Sequence, residues 1–331
     1  MIAKYNAKIS GTGHYVPDKI LTNFDLEKII DTTDEWIRTR TGMVERHVVT
    51  EDQAASDLAY PASLKALEAA DLKPKDIDMI IVGTISGDHP FPSTACILKK
   101  KLGLKSFPAF DVSAGCPGWL YSANIAKQFV ENGVAKNILV VGVEILTKIT
   151  NYEDRNTCIL FGDGAGATII SRAESKDISR IIDSEITADG THYELLIQEA
   201  GGSRMPASKE SVKKNLHTCY MEGNKIFKFA VKSMDSMCDI VMKRNKLDVT
   251  SIDWLITHQA NMRIIEALGR KMRIDSNKVI VNIEKYGNTS SATIPIALDE
   301  AIRSGKIRRG DLVLMASFGA GLTSGSLLIR L

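Results

Sequence analysis

Uninterrupted apolar runs recur along the chain as MIIVG (79–83), ILVVG (138–142), ATIIS (167–171) and LVLMA (312–316). Between them lie longer segments with helical spacing of apolar positions. Strands that are apolar on both faces, alternating with helices, predict sheets covered on both sides and a layered α/β fold. The runs also repeat. IDMIIVGT starts at Ile77 and IDWLITHQ at Ile252, an offset of 175 residues. After the first comes AGCPGWLYSANIAKQFVENGVAKNILVVGVE, and after the second YGNTSSATIPIALDEAIRSGKIRRGDLVLMASFG. Both read as a glycine turn, a helix of about four turns, a glycine stop and a strand. The offset is 172 at Cys116/Asn288 and 174 at Ile138/Leu312, a drift that small loop changes produce. A tandem duplication follows, with halves 1–174 and 175–331 that meet without a linker. The polar, glycine-interrupted stretch from Tyr193 to His217 has no counterpart in the first half and is predicted to be a surface excursion over an active-site mouth.

Composition narrows the function classes. A chain of 331 residues, 44% hydrophobic and 25% charged, suits a globular enzyme with room for two cores. Lys and Arg number 42 against 40 for Asp and Glu, so the net charge of +2 draws the chain toward neither nucleic acid nor membrane. No run reaches the roughly 18 to 20 apolar residues of a membrane span, and the opening residues lack an apolar signal region, so a cytoplasmic protein is expected. Cysteines 96, 116, 158, 219 and 238 are odd in number and lack CxxC spacing, which speaks for reduced thiols over disulfides or zinc.

Three residues stand where chemistry is favoured. Cys116, in FDVSAGCPGWLYSANIAKQF, falls between a short strand and a helix, where orphan N–H groups and the helix dipole favour the nucleophilic thiolate. The other four cysteines lack that setting and are assigned to packing. His258 follows the strand WLIT, at the end of the sheet where α/β folds bind ligands. Asn288, in KYGNTSSATIP, takes the repeat position of Cys116 and should face the same cavity; an N-cap or turn role is the alternative. Histidines 14, 47, 89, 192 and 217 fall in loops or polar segments. GDGAGATIIS (162–171) imitates a dinucleotide fingerprint but leads into a strand, without the helix start that binds pyrophosphate. Walker, HExxH and paired-carboxylate signatures are missing. The late SFGAGLTSGS is either a tight turn or a backbone that approaches substrate.

Taken together, AGCPGW, THQAN, YGNTSSAT, FGDGAGA and TTDEWIRTRTG resemble the β-ketoacyl-acyl-carrier-protein synthase III family of the thiolase-like superfamily, over nearly the whole chain. The resemblance implies an internally duplicated α/β/α/β/α five-layer sandwich and a homodimer. It makes Cys116 the nucleophile that takes an acyl group from acyl-CoA, before malonyl-acyl carrier protein enters and loses CO2. Neutral N–H donors of His258 and Asn288 would hold the enolate, and the backbone of Cys116 and Ala320 would form the oxyanion hole. Trp36 and Arg155 would sandwich the CoA adenine, Arg40 meet its phosphates, and Asn224 and Asn261 line the pantetheine channel. Phe91, Leu146 and Phe161 would bound the acyl pocket, with Phe91 crossing the dimer interface and favouring short primers such as acetyl. Lys228, Arg263, Arg270 and Lys271 would receive the acidic carrier protein, a solvated basic face being the alternative. The CoA thioester is a substrate, and no cofactor, metal, nucleic acid or membrane is implied. The chain departs from the family at Ala320, often a glycine, and at Ser324, often an aromatic, which bears on acyl-chain preference. A thiolase would want a second cysteine near the site, and a hydroxymethylglutaryl-CoA synthase a glutamate base. A related condensing enzyme or acyltransferase of secondary metabolism and a non-catalytic module that binds acyl groups or carrier protein are the remaining rivals.

Overall fold

The apolar runs are strands, and they pair into two sheets. In the computed structural model, which describes residues 4–331, the first sheet contains β1 (Asn6–Tyr15), β2 (Met79–Gly83), β3 (Ala109–Val112), β4 (Asn137–Ile145) and β5 (Asp163–Ala173) in the order β1-β5-β4-β2-β3. The second contains β6 (Arg180–Ala188), β7 (Trp254–Thr257), β8 (Val279–Ile280), β9 (Leu312–Gly319) and β10 (Thr323–Arg330) in the order β6-β10-β9-β7-β8. Strand for strand, the two orders are the same. Directions agree as well: β2 is parallel to β3 and β4, and β5 antiparallel to β4 and β1, as β7 is to β8 and β9, and β10 to β9 and β6.

The register dates the repeat more closely than sequence spacing does. Met79 lies opposite Ile138, and Trp254 opposite Val313, so the strands keep a constant offset of 175 and Ile138 matches Val313, one residue beyond Leu312. The aspartate that opens each repeat has one job in both halves. Asp78 accepts from the backbone N–H of Lys136 (2.7 Å) and Asn137 (2.9 Å), and Asp253 from that of Leu312 (2.7 Å), tying each strand to its parallel neighbour.

Parallel neighbours need crossovers, and helices supply them. The helices that matter for the site are α1 (Asp34–Thr41), α2 (Ala55–Ala69), α3 (Thr94–Lys101), α4 (Gly118–Glu131), α5 (Gly223–Arg244), α6 (Met262–Met272) and α7 (Thr293–Arg303). α2 and α3 cover the outer face of the first sheet, α4 and α7 fill the space between the sheets, and α5 and α6 cover the second, giving five layers. Three apolar cores result where composition suggested two. Along β4 the side chains alternate: Leu139 and Val141 enter the outer core, Ile138 and Val140 the central one, which is why the strand reads as a continuous apolar run.

Two features separate the halves. α4 begins two residues after Cys116, whereas the turn Ser290–Ala292 intervenes between Asn288 and α7. Helix starts therefore share the offset of 175, and the 172 that linked Cys116 to Asn288 measures this extra turn. The excursion after β6 is not structureless: it carries a turn at Gly190–Leu195, a strand Leu196–Gln198 paired with Cys219–Met221, and a short helix Lys209–Lys213.

Candidate active site

Helix starts and strand ends of both halves converge on one apolar cavity that opens to solvent. Cys116, His258, Asn288, Ala320, Leu146 and Phe161 all lie on its wall, and Leu196, Ile197 and Gln198 of the excursion close one side.

Cys116 sits in the loop between β3 and α4, where Pro117 is the N-cap residue and Gly118 the first helical one. The residue is half-buried and lines the cavity. Burial nevertheless pushes its pKa up to about 12, against the Ser290 hydroxyl and the residue's own N–H, which favour the thiolate, and with the help of the Glu144 charge, which disfavours it. At neutral pH the side chain is therefore a thiol, and any use of it as a nucleophile requires its deprotonation.

Two turns meet behind it, backbone to backbone. Gly115 has φ +59°, and a Cβ there would come within 2.9 Å of the Ala320 nitrogen; one on Gly319 would come within 2.6 Å of the Cys116 nitrogen. Only glycine permits that approach. Thr323 Oγ1 spans the junction, donating toward the carbonyls of Ala114 (2.7 Å) and Ala320 (2.9 Å).

His258 extends from the end of β7, its backbone N–H bonded to Ala316 O at 2.8 Å. Burial holds the imidazole pKa down to about 3, so the ring is neutral. Nδ1 lies 2.8 Å from Thr293 Oγ1, which in turn lies 2.9 Å from Ser290 O. The threonine hydroxyl has one proton: given to Ser290 O, it leaves Nδ1 as the ring donor, and given to Nδ1, it leaves the ring proton on Nε2, which has no hydrogen-bond partner among the described residues. Asn288 is fixed by its backbone, which bridges to Phe161 and donates to Leu160 O at 2.8 Å. Its Oδ1 accepts from Ser290 N–H at 2.8 Å, leaving the Nδ2 donors unassigned.

Ser290, Thr293 and Glu144 carry no role in the sequence analysis, yet they knit the site together. Glu144 is fully buried, and burial raises its pKa to about 7. The signal was a lone carboxylate at the end of the apolar run NILVVGVEI, and a run of hydroxyls in NTSSAT.

The remaining expected site residues separate into groups. Arg155 stacks on Trp36, its guanidinium 4.7 Å from the indole centroid, and Arg40 lies 5.8 Å from the same ring. An adenine between Trp36 and Arg155 needs about 7 Å, twice a van der Waals contact of roughly 3.5 Å, so the sandwich is closed on itself. Asn261 is the N-cap of α6, accepting from Arg263 N–H at 2.9 Å and donating to Arg40 O at 3.1 Å; Asn224 is exposed in the first turn of α5. Neither asparagine touches the cavity. Phe91 is 86% exposed and does not reach the cavity of its own chain. In the basic patch, Arg270 pairs with Glu266 and Lys271 with Asp235, while Lys228 and Arg263 are exposed with no acidic partner among the described residues.

Two cysteines depart from their packing assignment: Cys96 is exposed, and Cys219 lies on the cavity wall, its pKa raised to about 11 by burial. Cys219 comes from the excursion and not from a helix start. Cys158 and Cys238 are core residues. His14 and His47 belong to strands and not to loops; His14 Nδ1 lies 2.6 Å from Asp299 Oδ2.

Comparison with known proteins agrees along the whole chain. Residues 110–190 match the family described as 3-oxoacyl-[acyl-carrier-protein (ACP)] synthase III, and residues 242–331 its C-terminal counterpart. The chain is 56% identical to the β-ketoacyl-[acyl-carrier-protein] synthase III of Caldanaerobacter subterraneus subsp. tengcongensis, over 100% of this chain and 99% of that one. It is 48% identical to the enzyme of that description from Xanthomonas campestris pv. campestris, over the full length of both. The crystal structure of 3-oxoacyl-[acyl-carrier-protein] synthase III from Aquifex aeolicus VF5 superposes with a TM-score of 0.90 at 46% identity, covering 98% of this chain and 100% of that one. On the strength of its fold, its cavity and these relatives, the chain belongs to the 3-oxoacyl-[acyl-carrier-protein] synthase III family.

Proposed function

We propose that this enzyme condenses a short acyl group, supplied as acyl-CoA, with malonyl-acyl carrier protein to give 3-oxoacyl-acyl carrier protein, CO2 and CoA, the opening step of fatty acid synthesis. The observation that carries the proposal is a single apolar cavity on which Cys116 of one half meets His258 and Asn288 of the other.

Cys116 attacks the thioester carbon, the N–H groups of Cys116 and Ala320 receive the oxyanion, and the CoA sulfur leaves. The acyl chain lies against Leu146 and Phe161. Malonyl-carrier protein then loses CO2; the electron pair of the broken C–C bond becomes an enolate whose oxygen is held by His258 Nε2–H and Asn288 Nδ2–H. Its carbon attacks the acyl-Cys116 carbonyl, and the thiolate departs. A neutral imidazole suits that role, because a charged one would also bind the substrate carboxylate in its ground state.

CoA is bound where Trp36 and Arg155 part to admit the adenine, with Arg40 at the phosphates and Asn224 and Asn261 along the pantetheine. Lys228 and Arg263, with no salt-bridge partner among the described residues, are the stronger half of the carrier-protein patch; Arg270 and Lys271 must first give up their own partners. The exposed Phe91 supports a homodimer in which it closes the partner's acyl pocket, since a large apolar side chain is otherwise left in water. The reaction takes place in the cytosol, where CoA thioesters and carrier protein are soluble. Incubation with acetyl-CoA and malonyl-carrier protein is expected to yield the 3-oxobutanoyl-carrier protein and CO2; CoA release without either product would contradict condensation.

A further inference from the structure

Directly behind the nucleophile lies an ionisable group that the proposed reaction leaves idle. Glu144, the penultimate residue of β4, is wholly buried, and among the described residues no cation pairs with it. Its carboxylate is held by hydroxyls and one backbone group: Oε2 accepts from Ser86 Oγ (2.5 Å), Ile85 N–H (3.2 Å) and Thr84 Oγ1 (3.3 Å), and Oε1 from Ser290 Oγ (3.1 Å). Burying an unpaired carboxylate is costly, and cores avoid it unless the group is used.

Ser290 links this acid to all three reacting side chains. Its hydroxyl donates to Glu144 at 3.1 Å and lines the same cavity wall as Cys116, placed to accept the thiol proton. Its N–H holds Asn288 Oδ1, and its C=O lies 2.9 Å from the hydroxyl of Thr293, the partner of His258. Its φ is +47°, a left-handed conformation that a residue with a side chain rarely adopts, and here it aims these groups in three directions.

We propose that Glu144 is the proton store of Cys116, with the Ser290 hydroxyl carrying the proton between them. In acylation the thiol proton passes to Ser290 Oγ as the Ser290 proton passes to Glu144 Oε1. The sulfur forms its bond to the acyl carbon, the C–S bond to CoA breaks, and the departing CoA thiolate takes a proton from solvent at the cavity mouth. In condensation the enolate carbon bonds to the acyl carbon and the Cys116 sulfur leaves with the electron pair. Protonated Glu144 then returns its proton through Ser290. Over both halves one solvent proton is consumed, as decarboxylation of a malonyl anion requires.

Other titratable groups nearby do not compete near neutrality. Cys116 titrates near 12 and His258 near 3, leaving Glu144, near 7, as the group that changes charge. On the elements packed against β4, Asp163 of β5 is engaged by Thr147 and Val49, Asp57 of α2 by Lys101, Asp88 by Ser56, Asp299 of α7 by His14 and Arg303, and Glu300 by Lys285.

The test is Glu144→Gln, which keeps an acceptor for Ser290 but cannot take a proton. It rests on Cys116 being the nucleophile, so wild-type acylation by acetyl-CoA is measured first; its absence overturns the reaction, not the store. Given acylation, the pre-steady-state rate and the site-resolved alkylation of Cys116 by iodoacetamide are followed against pH. In wild type both should rise through an inflection near pH 7, as the carboxylate form appears. In Glu144→Gln that inflection should vanish and acylation slow by about 100-fold, within the range of general acid–base effects. Ser290→Ala, which leaves the other donors to Glu144 in place, should give the same loss and serves if Glu144→Gln does not fold. Wild-type pH profiles in a folded variant would show that Glu144 only anchors the loop after β2, and would overturn the proposal.

Discussion

At the end of β2 the first half has Gly83, and at the matching place after β7 the second half has His258; the residues that begin the central helices are Gly118 in one and Thr293 in the other. In the first half the two glycines let the helix rest on the strand end, where a Cβ on Gly83 would come within 2.5 Å of Gly118. In the second half the same pair is His258 and Thr293, joined by a hydrogen bond of 2.8 Å. A second matched pair is reciprocal. Glu144 of β4 reaches across to Ser290 before α7, and Gly319 of β9 presses against Cys116 before α4. One scaffold thus serves twice: tight glycine packing brings Cys116 to a helix start, and a helix set back by one turn makes room for polar side chains. Strand order and register have not changed between them, so the difference in chemistry was made at strand ends and loops, where fewer packing contacts resist substitution.

The division of labour breaks most sharply at the nucleophile. Cys116→Ala should lower the condensation rate by about 10^6, as loss of a covalent catalyst does; the assay is release of CO2 from malonyl-carrier protein in the presence of acetyl-CoA. Replacing a donor in the second half should do less and something different. His258→Ala or Asn288→Ala should each slow condensation by about 100- to 1000-fold while the acyl-Cys116 adduct still forms and accumulates. Equal loss of both steps would erase the distinction between the halves.

Stability against pH sharpens the contrast, because the two buried groups have opposite signs. His258 titrates near 3 when folded and 6.5 when free, so the unfolded chain binds the extra proton and stability falls as pH drops below about 6.5. Glu144 titrates near 7 when folded and 4.5 when free, so the folded chain holds the proton and stability falls as pH rises from about 4.5 to 7. Each slope is about 1.4 kcal/mol per pH unit inside its window. Thermal melting across pH should lose the acid limb in His258→Gln and the neutral limb in Glu144→Gln. The smallest effect is expected on the outer surface of the second half: Lys228→Glu or Arg263→Glu should raise the KM for carrier protein by less than about tenfold, more than Arg270→Glu or Lys271→Glu, whose charges are already paired.

Layering, duplication and the meeting of Cys116, His258 and Asn288 on one cavity were legible in the chain because each leaves a local mark: a doubly apolar strand, a repeat at 175, a cysteine or histidine at an element's end. What the sequence concealed depends on how distant segments approach. The turn Ser290–Ala292 reads as an ordinary helix start in NTSSAT, and its insertion appears only when strand register fixes the offset. Glu144 meets Ser290 from 146 residues away. Arg155 closing on Trp36 and the acids that occupy Arg270 and Lys271 are likewise tertiary facts, since a charge run carries no record of its partners.

The acyl group on Cys116 is the point on which everything else depends, and intact-protein mass after mixing with acetyl-CoA reads it directly. Wild type should gain the mass of one acetyl group and Cys116→Ala none. A folded wild-type protein that gains nothing, or an adduct that persists in Cys116→Ala, would contradict the shared cavity as the place where the halves do their chemistry.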